Sequence, residues 1–445
     1  METGLSQNPI PSKPSTFMPC MRFRLWCFSG LFALSFALFG GGVQAASILI
    51  PMDESGQKDH LKAYGIAYWA LQNGVEIEWL LNYRGGSFIL PQLEALVQEC
   101  RIRGVSFESL SDADRLGLEE LIALPDQNME RVKLEKAPRI AVYSPKGKQP
   151  WDDAVTLVLT YAEIPFDVVY DDEVLADLLP LYDWLHLHHE DFTGQYGRFY
   201  AQFRSAPWYI QQKKDMEADA TRLGFAKVSE LKNAVAQKIE TFVIGGGFLF
   251  AMCSATDSYD IALAATGLDI CESMYDGDPA RPSDYDKLDY SRCFAFEDFS
   301  LMRDPLRYEF SDIDATDTRK VAPENDYFAL FEFSAKWDVV PTMLCQNHTR
   351  IVPGFMGQTT AFRTEKIKSG VLILGENKPA GEARYIHGEL GQGTWTFYGG
   401  HDPEDYQHRV GDPATELAQH PNSPGYRLIL NNILFPAAKK KKQKT

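Results

Sequence analysis

Cys253 stands where an apolar run meets a helix-like segment, GGGFLFAMCSATDSYDIALAA over residues 245–265. A short apolar run bounded by turn residues reads as a buried parallel strand, and Ser254 opens a helix by the N-cap rule. A cysteine between the two lies at the carboxyl edge of a sheet and faces the positive end of a helix. That setting favours the thiolate and makes a nucleophile; the competing reading is a buried core thiol. Two polar clusters fall at other strand ends: His188-His189-Glu190-Asp191 and His401-Asp402-Pro403-Glu404. A cysteine nucleophile needs a base to take its proton and a carboxylate to orient that base. Cys253, His401 and either Asp402 or Glu404 supply this set. The Ser254 N–H, with another from the loop after residues 139–143, would stabilise an oxyanion. His188, His189 and Glu190 are read as substrate-binding groups at the same edge. Their alternative use is a metal site, with His188 or His189 and Glu190 or Asp191 joined by His401, because imidazole and carboxylate suit zinc. The preferred reading calls for no metal and no cofactor.

The elements that must position these residues alternate between strand and helix. Residues 47–53, 75–81, 88–90 and 105–107 read as strands, with helices over 59–72, 91–101 and the start of 111–136. This is an N-terminal α/β unit spanning 46–136, for which the alternation predicts a parallel sheet. A second unit, 137–438, opens with strands at 139–143, 166–170 and 182–188. Helices at 210–222 and 228–240 lead to the strand before Cys253. The order is that of a doubly wound sheet, which binds ligands outside the carboxyl ends of its strands. Residues 272–352 are acidic, aromatic and rich in turn residues. They read as a β-rich insertion with strands at 327–333 and 339–344. A meander over 371–374, 384–390 and 394–398 and a helix over 425–434 close the unit. The aromatic loop at 192–209 either stacks on a sugar or peptide or packs over a cleft.

The chain has 445 residues and a formal charge of −17, which argues against general nucleic-acid binding. Its five terminal lysines, within 439–445, read as a solvated tail. Residues 21–45 resemble a signal peptide: Met21-Arg-Phe-Arg, then an apolar stretch too short to span a membrane, then Val43-Gln44-Ala45 before Ala46. The expectation is a leader over 1–45 and an exported, periplasmic or secreted chain with no stable membrane span. Cys100, Cys253, Cys271, Cys293 and Cys345 remain beyond the leader. An odd number leaves at least one thiol free, and Cys271 with Cys293 is a plausible pair.

GGGFLFAMCSA followed by TWTFYGGHDPEDY and YRLILNNILFPA resembles the class I glutamine-amidotransferase-like superfamily, in particular its trehalose-utilisation-type branch. Gly391–393, the segment 400–404 and the helix 430–434 carry the likeness, which covers roughly residues 138–438. It implies a flavodoxin-like α/β fold with Cys253 at a nucleophile elbow. Where the superfamily elbow reads G-x-C-x-G, this chain has Ala251 and Ala255. The chain is also similar to secreted bacterial proteins labelled asparagine synthetase B. It has neither the S-G-G-x-D-S loop nor a Walker-type loop, so its motifs do not support ATP-dependent asparagine synthesis. The function expected is thiol-dependent hydrolysis of a small amide. The alternatives are a non-catalytic module that holds a carbohydrate or peptide, and a metal-dependent hydrolase.

Overall fold

A computed structural model describes residues 47–147 and 149–438. The leader at 1–45 and the lysine tail at 439–445 lie outside the described residues. The chain is α/β, and its described residues form two sheets. The first is built from β1 (Ser47–Ile50), α1 (His60–Gln72), β2 (Ile77–Leu81), β3 (Ser87–Pro91), α2 (Glu94–Arg103), β4 (Glu108–Leu110), α3 (Asp112–Ala123) and β5 (Glu130–Leu134). Its strand order is β4-β1-β3-β2-β5 and every pairing is antiparallel. This corrects the parallel sheet expected for 46–136. The connection from β2 to β3 is a tight turn, with Asn82, Arg84, Gly85 and Gly86 all at positive φ. A turn that short joins only antiparallel strands, because a parallel pair needs a long crossover. Strand β3 therefore folds back and inserts between β1 and β2. Strand β5 was hidden by its charge, yet Val132 and Leu134 are buried and Lys133 between them is exposed.

Helix α1 begins at Asp59, whose side chain accepts the Lys62 N–H at 2.9 Å. Ten of its thirteen residues are buried, so it is apolar on all sides and runs through the core. Gly65 presses it against a neighbouring loop, where a β-carbon would stand 2.0 Å from the Ala162 carbonyl oxygen.

The second unit runs β6 (Ile140–Tyr143), α4 (Ala154–Tyr161), β7 (Asp167–Val169), α5 (Asp171–Leu175), β8 (Trp184–Leu187), α6 (Tyr200–Phe203), α7 (Pro207–Arg222), α8 (Val228–Ile244), β9 (Phe248–Met252), α9 (Ala255–Ala264) and α10 (Ser273–Asp276). It continues with β10 (Tyr327–Leu330), α11 (Val339–Leu344), β11 (Ile351–Pro353), β12 (Phe362–Arg363), β13 (Leu372–Asn377), β14 (Glu382–Leu390), β15 (Gly393–Tyr398) and α12 (Pro424–Leu434). Strands β7-β6-β8-β9-β15 are parallel neighbours in that order. Beyond β15 the sheet goes on antiparallel through β14, β13, β10 and β11. Ile140, Val142, Phe250, Met252 and Tyr398 pack on one face with α4 and α12. Ala141, Tyr143, Leu185, Leu187, Leu249 and Phe397 pack on the other with α8 and α9. A sheet covered on both faces explains why its strands are apolar runs rather than alternating ones.

One core joins the first sheet, α1, α4, α12 and a face of the second sheet. Polar bonds reinforce it. Arg427 of α12 is fully buried and donates to the carbonyls of Met52 (3.1 Å) and Gly85 (2.6 Å). Tyr64 donates to Asn431 at 2.5 Å, and the His60 N–H to Asn422 at 3.1 Å.

The insertion at 272–352 is not β-rich. Its strands are β10 and the start of β11, and the rest is short helices, turns and irregular chain. Val339–Leu344, expected as a strand, is the helix α11. Its β-branched residues misled the propensity argument, and Pro341 lies in the first turn, where a missing N–H costs nothing. The insertion is fastened by Asp326, buried between Arg319 (2.7 Å) and Arg384, whose Nη2 reaches both carboxylate oxygens at 2.8 Å. All five described cysteines are free, so Cys271 and Cys293 do not pair. The Cys271 thiol donates to the Thr193 carbonyl at 3.1 Å and the Cys293 thiol to the Asp260 carbonyl at 3.4 Å. Among the described residues no helix is long and apolar enough to cross a membrane.

Candidate active site at the strand ends

Neighbouring parallel strands deliver their next residues to one edge of the second sheet. Strand β8 ends in His188 and His189, β9 in Cys253, and β15, through Gly399 and Gly400, in His401. Strand β6 contributes through the loop before α4, which carries Asp152 and Asp153. Cys253 has φ +52°, in the left-handed region that a non-glycine residue occupies at a cost of about 1–3 kcal/mol. The chain accepts this to turn from β9 into α9. The turn is held by the Ala255 N–H, which donates to the His188 carbonyl at 2.9 Å. Ala251 stays inside β9 and Ala255 begins α9, so neither position needs positive φ.

Cys253 is 4% exposed and its sulfur accepts the Gln358 N–H at 3.3 Å. The ligating atoms of His188, His189, Cys253 and His401 all lie within 4.8 Å of one another. The imidazoles stack: His188 on His189 at 3.7 Å, His189 near His401 at 4.6 Å, and His401 on His408 at 4.4 Å between ring centres.

Two carboxylates stand behind these rings. Asp153 caps α4 through the Thr156 N–H, and its other oxygen lies 3.1 Å from both His186 Nε2 and His188 Nδ1. Asp152 lies 2.8 Å from His408 Nε2 and 3.7 Å from His401 Nε2, and its backbone carbonyl meets His189 Nε2 at 2.7 Å. Burial pushes His188 down to about 4, with only partial relief from Asp153. Burial also lowers His189 well below its ordinary value, helped by His188 and His401. Burial opposes a charge on His401 too, but Asp152 and the Cys253 sulfur outweigh it and raise the imidazole to about 10. Against its own burial, Asp152 is held well below the usual carboxylate range by His401 and His408. The arrangement favours an imidazolium at His401 and neutral rings at His188 and His189.

The expected site residues are only partly brought together. Cys253, His401, His188 and His189 meet. The carboxylate beside His401 is Asp152, not Asp402 or Glu404. Asp402 is buried and accepts the Glu404 N–H at 2.9 Å, while Glu404 reaches away to His420 Nδ1 at 2.8 Å. Glu190 and Asp191 also turn away from the cluster. Glu190 faces Lys232 at 4.0 Å, and Asp191 accepts from Thr193 and the Gly197 N–H. Ser254 lies against the turn, but among the described residues its hydroxyl has no hydrogen-bond partner and does not cap α9. Asp152 and Asp153 were missed. The available signal was an acidic pair at the N-cap of a helix that follows a parallel strand, a position fixed to the same edge of the sheet.

A roof covers the thiol. Residues 354–361 lie against the turn before His401, with the Gly400 N–H donating to Thr359 and the His401 N–H to Met356 at 3.0 Å. At Gly357 a β-carbon would stand 2.7 Å from the His401 nitrogen, so only glycine allows this approach. The Gln358 amide donates to Gly197 of the aromatic loop (2.7 Å) and to Tyr308 of the insertion (3.1 Å). Within that loop Phe199 and Trp208 pack on Trp151, which in turn meets His189. These aromatics pack over the site.

No family model matches the chain, and no curated protein sequence matches it. Among solved structures, a cytoplasmic protein of Salmonella typhimurium is 12% identical with a TM-score of 0.34. A second cytoplasmic protein, from strain LT2, is 14% identical with the same TM-score. Each comparison covers 68% of this chain and 100% of the other. A GH42 beta-galactosidase is 11% identical over 60% of this chain and 28% of its own, with a TM-score of 0.26. Similarity at this level fixes neither fold family nor function.

Proposed function

We propose that the protein is an exported, amidotransferase-like hydrolase in which the Cys253 thiolate attacks the carbonyl carbon of a small amide. The observation that carries this reading is His401, which has a ring nitrogen within 4.8 Å of the Cys253 sulfur and its Nε2 3.7 Å from an Asp152 oxygen. The parallel order β7-β6-β8-β9-β15 supports a flavodoxin-like fold, since it takes the five parallel strands, counted along the chain, as second, first, third, fourth and fifth. In the reaction His401 holds the thiol proton as an imidazolium oriented by Asp152. Sulfur bonds to the carbonyl carbon, and the Ser254 N–H faces the oxyanion. The C–N bond then breaks as His401 gives its proton to the departing nitrogen. Water, deprotonated by His401, cleaves the thioester and regenerates the thiol. Entry of a substrate requires residues 354–361 to lift from the sulfur.

Ammonia release from a panel of primary amides tests this reading. Activity should fall by at least about 100-fold in Cys253→Ala and in His401→Ala. In peptide mapping after brief iodoacetamide treatment, Cys253 should be alkylated ahead of the other thiols. Full activity in Cys253→Ala would sink the proposal. The enclosure of Cys253 favours one competitor, a non-catalytic module for a carbohydrate or peptide. Thermal-shift responses to sugars or amides that are unchanged in Cys253→Ala would point there.

A further inference from the structure

We infer that His188, His189, Cys253 and His401 form a tetrahedral site for a thiophilic divalent cation of the zinc class, and that filling it takes the Cys253 thiolate out of chemistry. The cation site stands on geometry alone. The control it exerts rests on the hydrolase reading above.

Four donors within 4.8 Å of one another are close to what one ion gathers. Zinc binds imidazole nitrogen at about 2.0–2.1 Å and thiolate at about 2.3 Å, which sets donor separations of roughly 3.3–3.6 Å. Reaching that spacing requires the stacked His188 and His189 rings to turn so that one nitrogen of each converges on the ion. Three nitrogens and one sulfur form a donor set that selects zinc over magnesium or calcium, which take oxygen. The donors come from the ends of three adjacent strands, so the frame of the site is rigid.

A second observation points independently to a ligand. His188 is 2% exposed, and its Nε2 makes no hydrogen bond among the described residues, while its Nδ1 faces Asp153 at 3.1 Å. A buried imidazole in that condition is costly unless something binds it. The outer partners also match a metal centre, in which ligating histidines are held through their other nitrogen by carboxylates or carbonyls. Asp153 stands at His188 Nδ1, the Asp152 carbonyl holds His189 Nε2, and the Asp152 carboxylate stands behind His401. His189 Nδ1 and His188 Nε2 are thereby left to face an ion. The three acidic side chains at Asp269, Asp276 and Asp278 make no comparable site, because Lys227 already reaches all three within 3.4 Å.

Whole protein, stripped with a chelator under reducing conditions, is titrated with cobalt(II) and then zinc. One equivalent of cobalt should give the intense visible bands of a tetrahedral ion and a near-ultraviolet thiolate-to-cobalt band, and zinc should bleach both. Cys253→Ser should lose the charge-transfer band and keep weaker binding. His188→Ala, checked for folding by circular dichroism, should bind at least 10-fold more weakly. In wild type one equivalent of zinc should slow alkylation of Cys253 at least 10-fold, with chelator restoring it. Absence of stoichiometric binding, or a charge-transfer band that survives Cys253→Ser, overturns the site. Stoichiometric binding that leaves alkylation of Cys253 unchanged overturns the control. Binding with protection but no amidase activity in zinc-free protein leaves the site standing and removes only the hydrolase.

Discussion

The strain stored at Cys253 can be read out with two small substitutions. At an ordinary buried position, replacing alanine by glycine costs about 0.5–1 kcal/mol of chain entropy and about 0.8 kcal/mol for the lost methyl. Cys253 is different because its φ is +52°. A β-carbon in the left-handed region costs about 1–2 kcal/mol, which glycine avoids. The two effects nearly cancel, so Cys253→Gly and Cys253→Ala should unfold within about 0.5 kcal/mol of each other. Ala251, two residues earlier in β9 and fully buried, is the control. There Ala251→Gly should lose the full 1–2 kcal/mol or so. Urea unfolding at fixed pH, with the slopes compared before the midpoints, measures all three variants against wild type. If Cys253→Gly falls more than about 1 kcal/mol below Cys253→Ala, the turn holds no strain and the elbow argument fails.

Other parts of the molecule yield further tests. Gly65→Ala should destabilise by about 1–3 kcal/mol or more, because its methyl meets the Ala162 carbonyl; an unchanged melting temperature would refute this close approach. Asp326→Ala leaves Arg319 and Arg384 buried without their shared carboxylate and should cost about 3–5 kcal/mol in urea unfolding. A loss below about 1 kcal/mol would mean that the two arginines find other partners. Burial raises Asp260 from 3.8 to about 6, against the N–H groups of Phe294, Ala295 and Phe296 and the nearby Lys368; the Cys293 thiol meets its backbone carbonyl. The folded form therefore holds this proton more tightly than the unfolded one. The stability it contributes is complete below pH 3.8 and is lost as pH rises through about 6. Of a full loss of about 3 kcal/mol, about 2 kcal/mol falls between pH 4 and pH 7, so the deficit of Asp260→Asn relative to wild type should shrink by that smaller amount over this range. A deficit independent of pH would show that Asp260 folds already charged.

Much of the second sheet was legible because its strands are buried on both faces and stand out as uninterrupted apolar runs. Phe248–Met252 was read to the residue, and β6, β8 and β15 to within two or three residues. Cys253 and the histidines followed, since a residue just past a parallel strand must lie at the sheet edge. The carboxylate beside His401 was not legible. Asp402 and Glu404 lie nearer in sequence, but the bonds of Asp402 to Glu404 and of Glu404 to His420 are set by three-dimensional packing. The first sheet was misread for a related reason. Alternation of strand and helix records local chain, whereas β3 takes its place between β1 and β2 through a turn of a few residues. In the insertion, acidic loops gain their order from buried contacts such as Asp326 with Arg384, and no periodicity announces those.

The bolts between α12 and the first sheet have a consequence for the order of assembly. Met52 and Gly85 depend on Arg427, and Tyr64 on Asn431, so the earliest strands are completed by almost the last helix. While a ribosome is still making the middle of the chain, α1 has one apolar side with nothing to cover it. Contacts that span nearly the whole length close slowly, and such intermediates are prone to aggregate. Loss of the final fifteen or so described residues would therefore do its first damage at the other end of the chain. The first sheet waits for α12.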